Sequence, residues 1–144
     1  LKEGLFNTMN ITQLRDAINT LLTDPPSLLG TYKLPNNTTT PAIYVVGRQS
    51  VPSAWKATGL EVTMREFPER LPTAMMGTVR VLQQWESIMV QYTPSGTNLA
   101  DAMDRMVRRF PDATVRYTPG DDVAYERCRF IIPDMGVRNL YPAA

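Results

Sequence analysis

Apolar and polar positions along the chain change their period several times, and each change marks an element. Ile11, Leu14, Ile18, Leu21 and Leu22 recur at helical spacing on one stripe, with Gln13, Asp16 and Thr20 on the other side. Asn10 precedes them, with Gln13 three residues on, the spacing of a capping box. Asp24-Pro25-Pro26 stops this helix, because proline cannot continue it. Residues 25–41, rich in Pro, Gly, Asn and Thr, read as an irregular loop. Ala42–Val46 is a short apolar strand ended by Gly47. A second loop, Arg48–Gly59, leads to a strand over Leu60–Phe67. There Leu60, Val62 and Met64 alternate with Glu61, Thr63 and Arg65, which predicts one wet face.

Residues 68–77 read as a third loop, and Thr78–Tyr92 as a long β stretch. Val79 and Val81 share one face of it, and Ile88, Val90 and Tyr92 the other. The phase changes near Gln83-Gln84-Trp85, which predicts a bulge or bend. After a turn at Thr93–Gly96, Asn98 is placed to cap a second helix, with Asp101 at its third position. Leu99, Ala102, Met103, Met106, Val107 and Phe110 form its apolar stripe, and Pro111 ends it. Asp101–Arg105 and Asp104–Arg108 have the spacing of i,i+4 ion pairs. Ala113–Tyr117 and Val123–Ile132 predict a hairpin around a type II turn at Thr118-Pro119-Gly120-Asp121. The tail from Pro133 to Ala144 reads as irregular. The order helix, strands, helix, hairpin predicts an α+β fold over residues 1–144. Two helices pack on one face of a mainly antiparallel or mixed sheet.

Composition adds mostly exclusions. With 15 basic and 14 acidic residues the net charge is +1, and no block of like charge points to nucleic acid or to a membrane surface. No apolar run has the length of a membrane span. A single cysteine and no signal-like opening lead to the expectation of a chain made in a reducing cytoplasm. There is no histidine, which removes the usual general base, the usual triads and the commonest zinc ligand. No glycine-rich phosphate loop is present. Asp121, Asp122 and Glu126 have oxygen for a hard cation, but read first as a charged hairpin tip. Nothing in the spacing of Glu66, Glu69 and Glu86 brings two of them together as acid and base. Cys128 reads as a small buried hydrophobe. The expectation is no enzyme and no cofactor or metal.

Interaction surfaces are the better candidates. The long connections carry apolar residues: Leu28, Leu29, Tyr32 and Leu34 in the first, Val51 and Trp55 in the second, Leu71, Met75 and Met76 in the third. Such residues are either covered by a partner or packed back onto their own domain. Arg127 and Arg129 share one side of the last strand and, with Tyr125, make either a wet sheet face or a contact surface. Arg105, Arg108 and Arg109 read as a solvated helix face.

Four runs carry a resemblance. They are Trp85–Tyr92, Leu99–Met103, Arg109-Phe110-Pro111 and the closing strand Glu126–Ile132. Together they resemble the tail terminator proteins of tailed bacteriophages, also called tail completion or minor tail proteins. The resemblance covers roughly residues 76–133 and matches the first half in element order. It implies a homo-oligomeric ring, usually a hexamer, on the head-proximal end of the tail tube. Such a ring stops tube polymerisation and joins a head-completion or neck protein, and in contractile tails the sheath. DNA passes through its channel without specific binding. It implies a virion location, with assembly in the host cytoplasm. It implies no catalytic residues, and ring contacts made by loops and sheet edges. A connector or tube-like adaptor subunit, a small ligand-binding α+β module and a nucleic-acid-binding protein are the alternatives.

Overall fold

The computed structural model describes residues 10–66, 71–75, 78–82, 84–92, 98–121 and 124–133. Helix α1 spans Ile11–Thr23. Its capping box forms as the spacing predicts: the Gln13 N–H donates to Asn10 Oδ1 at 2.8 Å, and the Asn10 N–H to Gln13 Oε1 at 2.9 Å. Leu14, Ile18 and Leu22 are fully buried, each burial contributing about 1.5–3 kcal/mol.

The stretch after α1 is not the irregular loop its composition suggests. Strands β1 (Thr31–Lys33) and β2 (Thr39–Pro41) pair antiparallel, and β4 (Lys56–Thr58) pairs on the other side of β1. The hairpin closes where Leu34 N–H meets the Thr38 carbonyl at 2.8 Å and Asn37 takes φ 68°, which asparagine tolerates. Three-residue strands are too short to show a period, so neither this sheet nor β4 inside the second loop was visible in the pattern.

Five strands form the main sheet in the order β3-β5-β8-β10-β9. They are β3 (Ile43–Val45), β5 (Leu60–Glu66), β8 (Gln84–Gln91), β9 (Thr114–Thr118) and β10 (Glu126–Pro133). β3 runs parallel to β5 and the other pairings are antiparallel. The expected phase change at Gln83–Trp85 is a change of sheet. β7 (Thr78–Leu82) pairs with β6 (Leu71–Met75), inside the expected third loop, whereas β8 joins the main sheet. Helix α2 spans Asn98–Arg109.

Both helices lie on one face of the main sheet, α1 against β3 and β5, α2 against β8 and β10. The molecule is an α+β fold, as predicted. Leu60, Val62, Met64, Met89, Cys128 and Phe130 face the helices, and Leu99, Ala102 and Met106 cover them from α2. Two details of α2 differ from the sequence reading. Arg105 does not pair with Asp101. Its guanidinium donates to the carbonyls of Leu21 at 2.9 Å, Asp24 at 3.0 Å and Pro26 at 3.1 Å, where the end of α1 leaves acceptors unmet. Asn98 donates through its side chain to the Leu28 carbonyl at 3.2 Å, tying α2 to the segment after α1. The Asp104–Arg108 pair forms at 3.3 Å.

The connection between β9 and β10 also differs. Gly120 does not take a positive φ, so the type II turn does not form. The loop is wider, held by Ala124 N–H on the Asp121 carboxylate at 2.7 Å and Asp121 N–H on the Ala124 carbonyl at 2.9 Å. Two other glycines set the position of the small sheet. A Cβ on Gly30 would lie 2.0 Å from the Thr58 oxygen, and Gly59 has φ +77°. This close crossing lays β1 and β4 over the helix-free side of β5.

Candidate functional site

Alternate residues of a strand point to opposite faces. The helix-free face of the main sheet is therefore lined by Glu61, Thr63 and Arg65 of β5, Glu86, Ile88 and Val90 of β8, and Arg127, Arg129 and Ile131 of β10. The register sets them in rows: Glu61–Val90–Arg127, Thr63–Ile88–Arg129 and Arg65–Glu86–Ile131. A wet face was expected, yet Glu61 is 8% exposed and Glu86 2% exposed.

Glu86 is clamped by two guanidiniums. Arg65 Nε donates to Oε1 at 2.5 Å and Arg129 Nε donates to Oε2. Burial alone would raise its pKa, but the two arginines outweigh burial and hold the carboxyl below its ordinary range. Arg129, a candidate contact residue, is thus committed within the chain. The acid–base pairing considered for Glu86 does not arise, and Glu69 lies outside the described residues.

Glu61 is clamped by two phenols. Tyr32 Oη, reaching down from β1, donates to Oε2 at 2.6 Å, and Tyr92 Oη donates to Oε1 at 3.0 Å. Burial first, and then the carboxylate, push Tyr92 up to about 12 and hold Tyr32 well above the ordinary phenol range. Both hydroxyls therefore keep their protons at neutral pH. The Trp55 ring stands 5.5 Å from Tyr32 and 5.8 Å from Tyr44, and the Tyr92 ring packs tilted against Tyr125 at 4.7 Å. An open cavity of about 510 Å³ adjoins this cluster, lined among others by Val51, Trp55, Ala57, Glu61, Thr63 and Tyr92.

The sheet edge at β9 is a second feature. All five of its residues are exposed. On the helix side, register puts Val115 beside Phe130 and Tyr117 beside Cys128, yet Val115 is 38% exposed and Tyr117 45%. The helix layer stops short of them. Arg105 of α2 points to α1, so Met103 and Val107, two positions to either side and about 200° round the helix, face away from α1 toward β9. Val107 is 46% exposed. Val107, Val115 and Tyr117 thus border an apolar step beside a strand edge that, among the described residues, pairs with no further strand. Sequence reading placed Val107 on a core stripe and missed this step, because burial there depends on how far the second helix reaches across the sheet.

The candidates from sequence divide. Leu28 and Tyr32 are buried and Leu29 packs partly against the core, so these loop residues are held by their own domain, not offered to a partner. Leu34 and Trp55 are half-buried, and Tyr125 and Arg127 are exposed. Leu71 and Met75 fall in β6, and Met76 lies outside the described residues, as does Asp122. Cys128 is fully buried and burial pushes its thiol up to about 11, which suits packing and not nucleophilic attack. Among the described residues no group of His, Cys, Asp or Glu could hold a metal ion, and no helix is long and apolar enough to cross a membrane. Set against known proteins, the chain matches no protein-family model and no curated protein.

Proposed function

We propose that this chain is a structural assembly subunit of the tail terminator type, which closes with copies of itself into a ring on the head-proximal end of a phage tail tube. In that position it stops tube growth and meets a head-completion or neck protein. The observation that carries the reading is the β9 edge. An unpaired strand is a ready template for a neighbouring chain, and the apolar step of Val107, Val115 and Tyr117 beside it gives the neighbour something to bury. The α+β layout, with two helices on one sheet face, agrees with the resemblance over roughly residues 76–133.

The mass of the purified chain across a range of concentrations tests this. Six subunits of 16.2 kDa would give a closed ring of about 97 kDa, and closed symmetry holds association to one size. Val115→Lys should reduce that species to monomer while changing stability by less than about 0.5 kcal/mol, since the position is exposed. Purified tail tubes given the wild-type chain should stop elongating. A chain that stays monomeric at high concentration and leaves tube growth unchanged removes the proposal. Growth into open tubes moves the assignment to a tube-like subunit.

A further inference from the structure

The cavity beside Glu61 combines three features that together suit one class of ligand. Its lining includes the carboxylate residue Glu61, only 8% exposed. Two hydroxyls fix that carboxylate, but hydroxyls satisfy geometry without neutralising charge. Among the described residues no cationic side chain pairs with it. Arg127 lies in the same row two strands away, roughly 10 Å by strand spacing; its charge is felt at Tyr92, but it makes no ion pair with Glu61. Each carboxylate oxygen has a second lone pair for another donor. The wall holds Trp55 and Tyr92, whose π faces attract cations. The volume, about 510 Å³, falls within the range of ligand pockets.

We infer that this cavity is a binding site for an organic cation, a guanidinium or alkylammonium group that hydrogen-bonds Glu61 and lies against Trp55. The ligand chemistry has two sources. It is either a free small molecule or an arginine side chain of a second copy. Arg116 and Arg127, on the strands at the far side of the same sheet, are exposed and fit the second source in a head-to-tail arrangement. The site itself stands whether or not the chain forms rings.

The test uses N-acetylarginine methylamide as probe and its neutral citrulline counterpart as control. Binding is followed through the indole N–H resonances of Trp55 and Trp85. The arginine probe should shift Trp55 saturably and leave the core residue Trp85 unmoved, and the citrulline probe should shift neither. Glu61→Gln should weaken the probe at least about tenfold, since it removes a charged acceptor. Glu61 is buried, so Trp55→Leu on the cavity wall serves as second variant; with its reporter indole gone, binding is followed by calorimetry, in wild type and variant alike, and should weaken about 3- to 30-fold. Equal shifts by arginine and citrulline, or an arginine affinity unchanged in both variants, overturn the inference. A second arm repeats the mass measurement with saturating probe. If the probe dissolves an oligomer, and Arg116→Ala or Arg127→Ala does the same, the natural cation is the neighbour's arginine. If an oligomer persists, or the chain is monomeric and still binds the probe, the site is supported and its cation is a free molecule.

Discussion

Glu61 and Glu86 stand on neighbouring strands of one sheet, point to the same face, and are both nearly buried. They reach that state by opposite means. Glu86 lies between two guanidiniums, so its charge is more than balanced where it sits. Glu61 lies between two neutral phenols, so each of its oxygens has one donor but, among the described residues, no cation is paired with its charge. Burying an ion is costly unless it is both hydrogen-bonded and paired. Glu86 meets both conditions inside the chain and ties β5, β8 and β10 together. Glu61 meets one, and it borders a cavity of about 510 Å³, against about 190 Å³ for the one beside Glu86. The same residue type on the same face thus marks a closed structural site in one place and an open binding site in the other.

The comparison breaks most visibly if the charge balance of Glu86 is removed. Arg65→Met with Arg129→Met leaves a carboxylate with its side chain 3% exposed and no cation. Unfolding in urea should show a loss of about 3–5 kcal/mol. Glu86→Gln should cost less, because the guanidiniums left behind, 51% and 40% exposed, can turn to water. A double variant no less stable than Glu86→Gln would mean that the clamp is not the main term.

Acid sharpens the same point. The folded pKa of Glu86 is depressed, so its contribution is complete above the ordinary carboxylate pKa of 4.5 and is lost as pH falls through the folded value. In the Arg65→Met/Arg129→Met variant burial acts unopposed and the sign reverses, so protonation relieves the variant. Measured against Glu86→Gln as reference, the wild type should lose stability from pH 5 to pH 3 on this account, and the variant should gain. Parallel curves would remove the argument.

Tyr32→Phe should have the next largest effect. It takes a 2.6 Å hydrogen bond from a buried carboxylate, and bonds to charged groups contribute about 1.5–3 kcal/mol. Alkali probes the same cluster. The folded pKa values of Tyr32 and Tyr92 lie above the ordinary 10.0, so what they contribute is complete below pH 10 and is lost as pH rises through the folded values, about 12 for Tyr92 and higher for Tyr32. The stability gap between wild type and Tyr32→Phe/Tyr92→Phe should therefore narrow above pH 10. A gap that stays constant would show that these phenols ionise alike in the folded and unfolded chains.

Sequence pattern carried the helices and the sheet core well, because each rests on a local period. Leu14–Ile18–Leu22 and Leu60–Val62–Met64 declare a buried face in a few residues. The α+β class followed from them. The cavity was not legible for the opposite reason. Tyr32, Trp55, Glu61 and Tyr92 come from four segments. They meet because β1 and β4, each too short to show a period, fold over β5 at the Gly30–Gly59 crossing. Alternation along β5 marked Glu61 as wet, since a strand's own pattern cannot show that a second small sheet covers it. Arg105 was misread for a similar reason. The spacing to Asp101 is local, while the carbonyls at the end of α1 lie about eighty residues away in sequence.

Tyr92→Phe gives the smallest effect and separates stability from binding. Its hydroxyl bond is longer, at 3.0 Å, on a half-buried ring that keeps its contact with Tyr125, so the cost should be about 0.5–1.5 kcal/mol. Binding should move the other way. Without the Tyr92 hydroxyl, Oε1 of Glu61 has lost a donor and is free to accept one from a guanidinium. The arginine probe should then bind the variant more tightly, by a factor of about two to five. The neutral citrulline probe should show no gain. Weaker binding of the arginine probe would mean that the hydroxyl itself faces the ligand. Glu61 would then serve Tyr92 as Glu86 serves its arginines, and the contrast between the two carboxylates would fail at the one point where it predicts function.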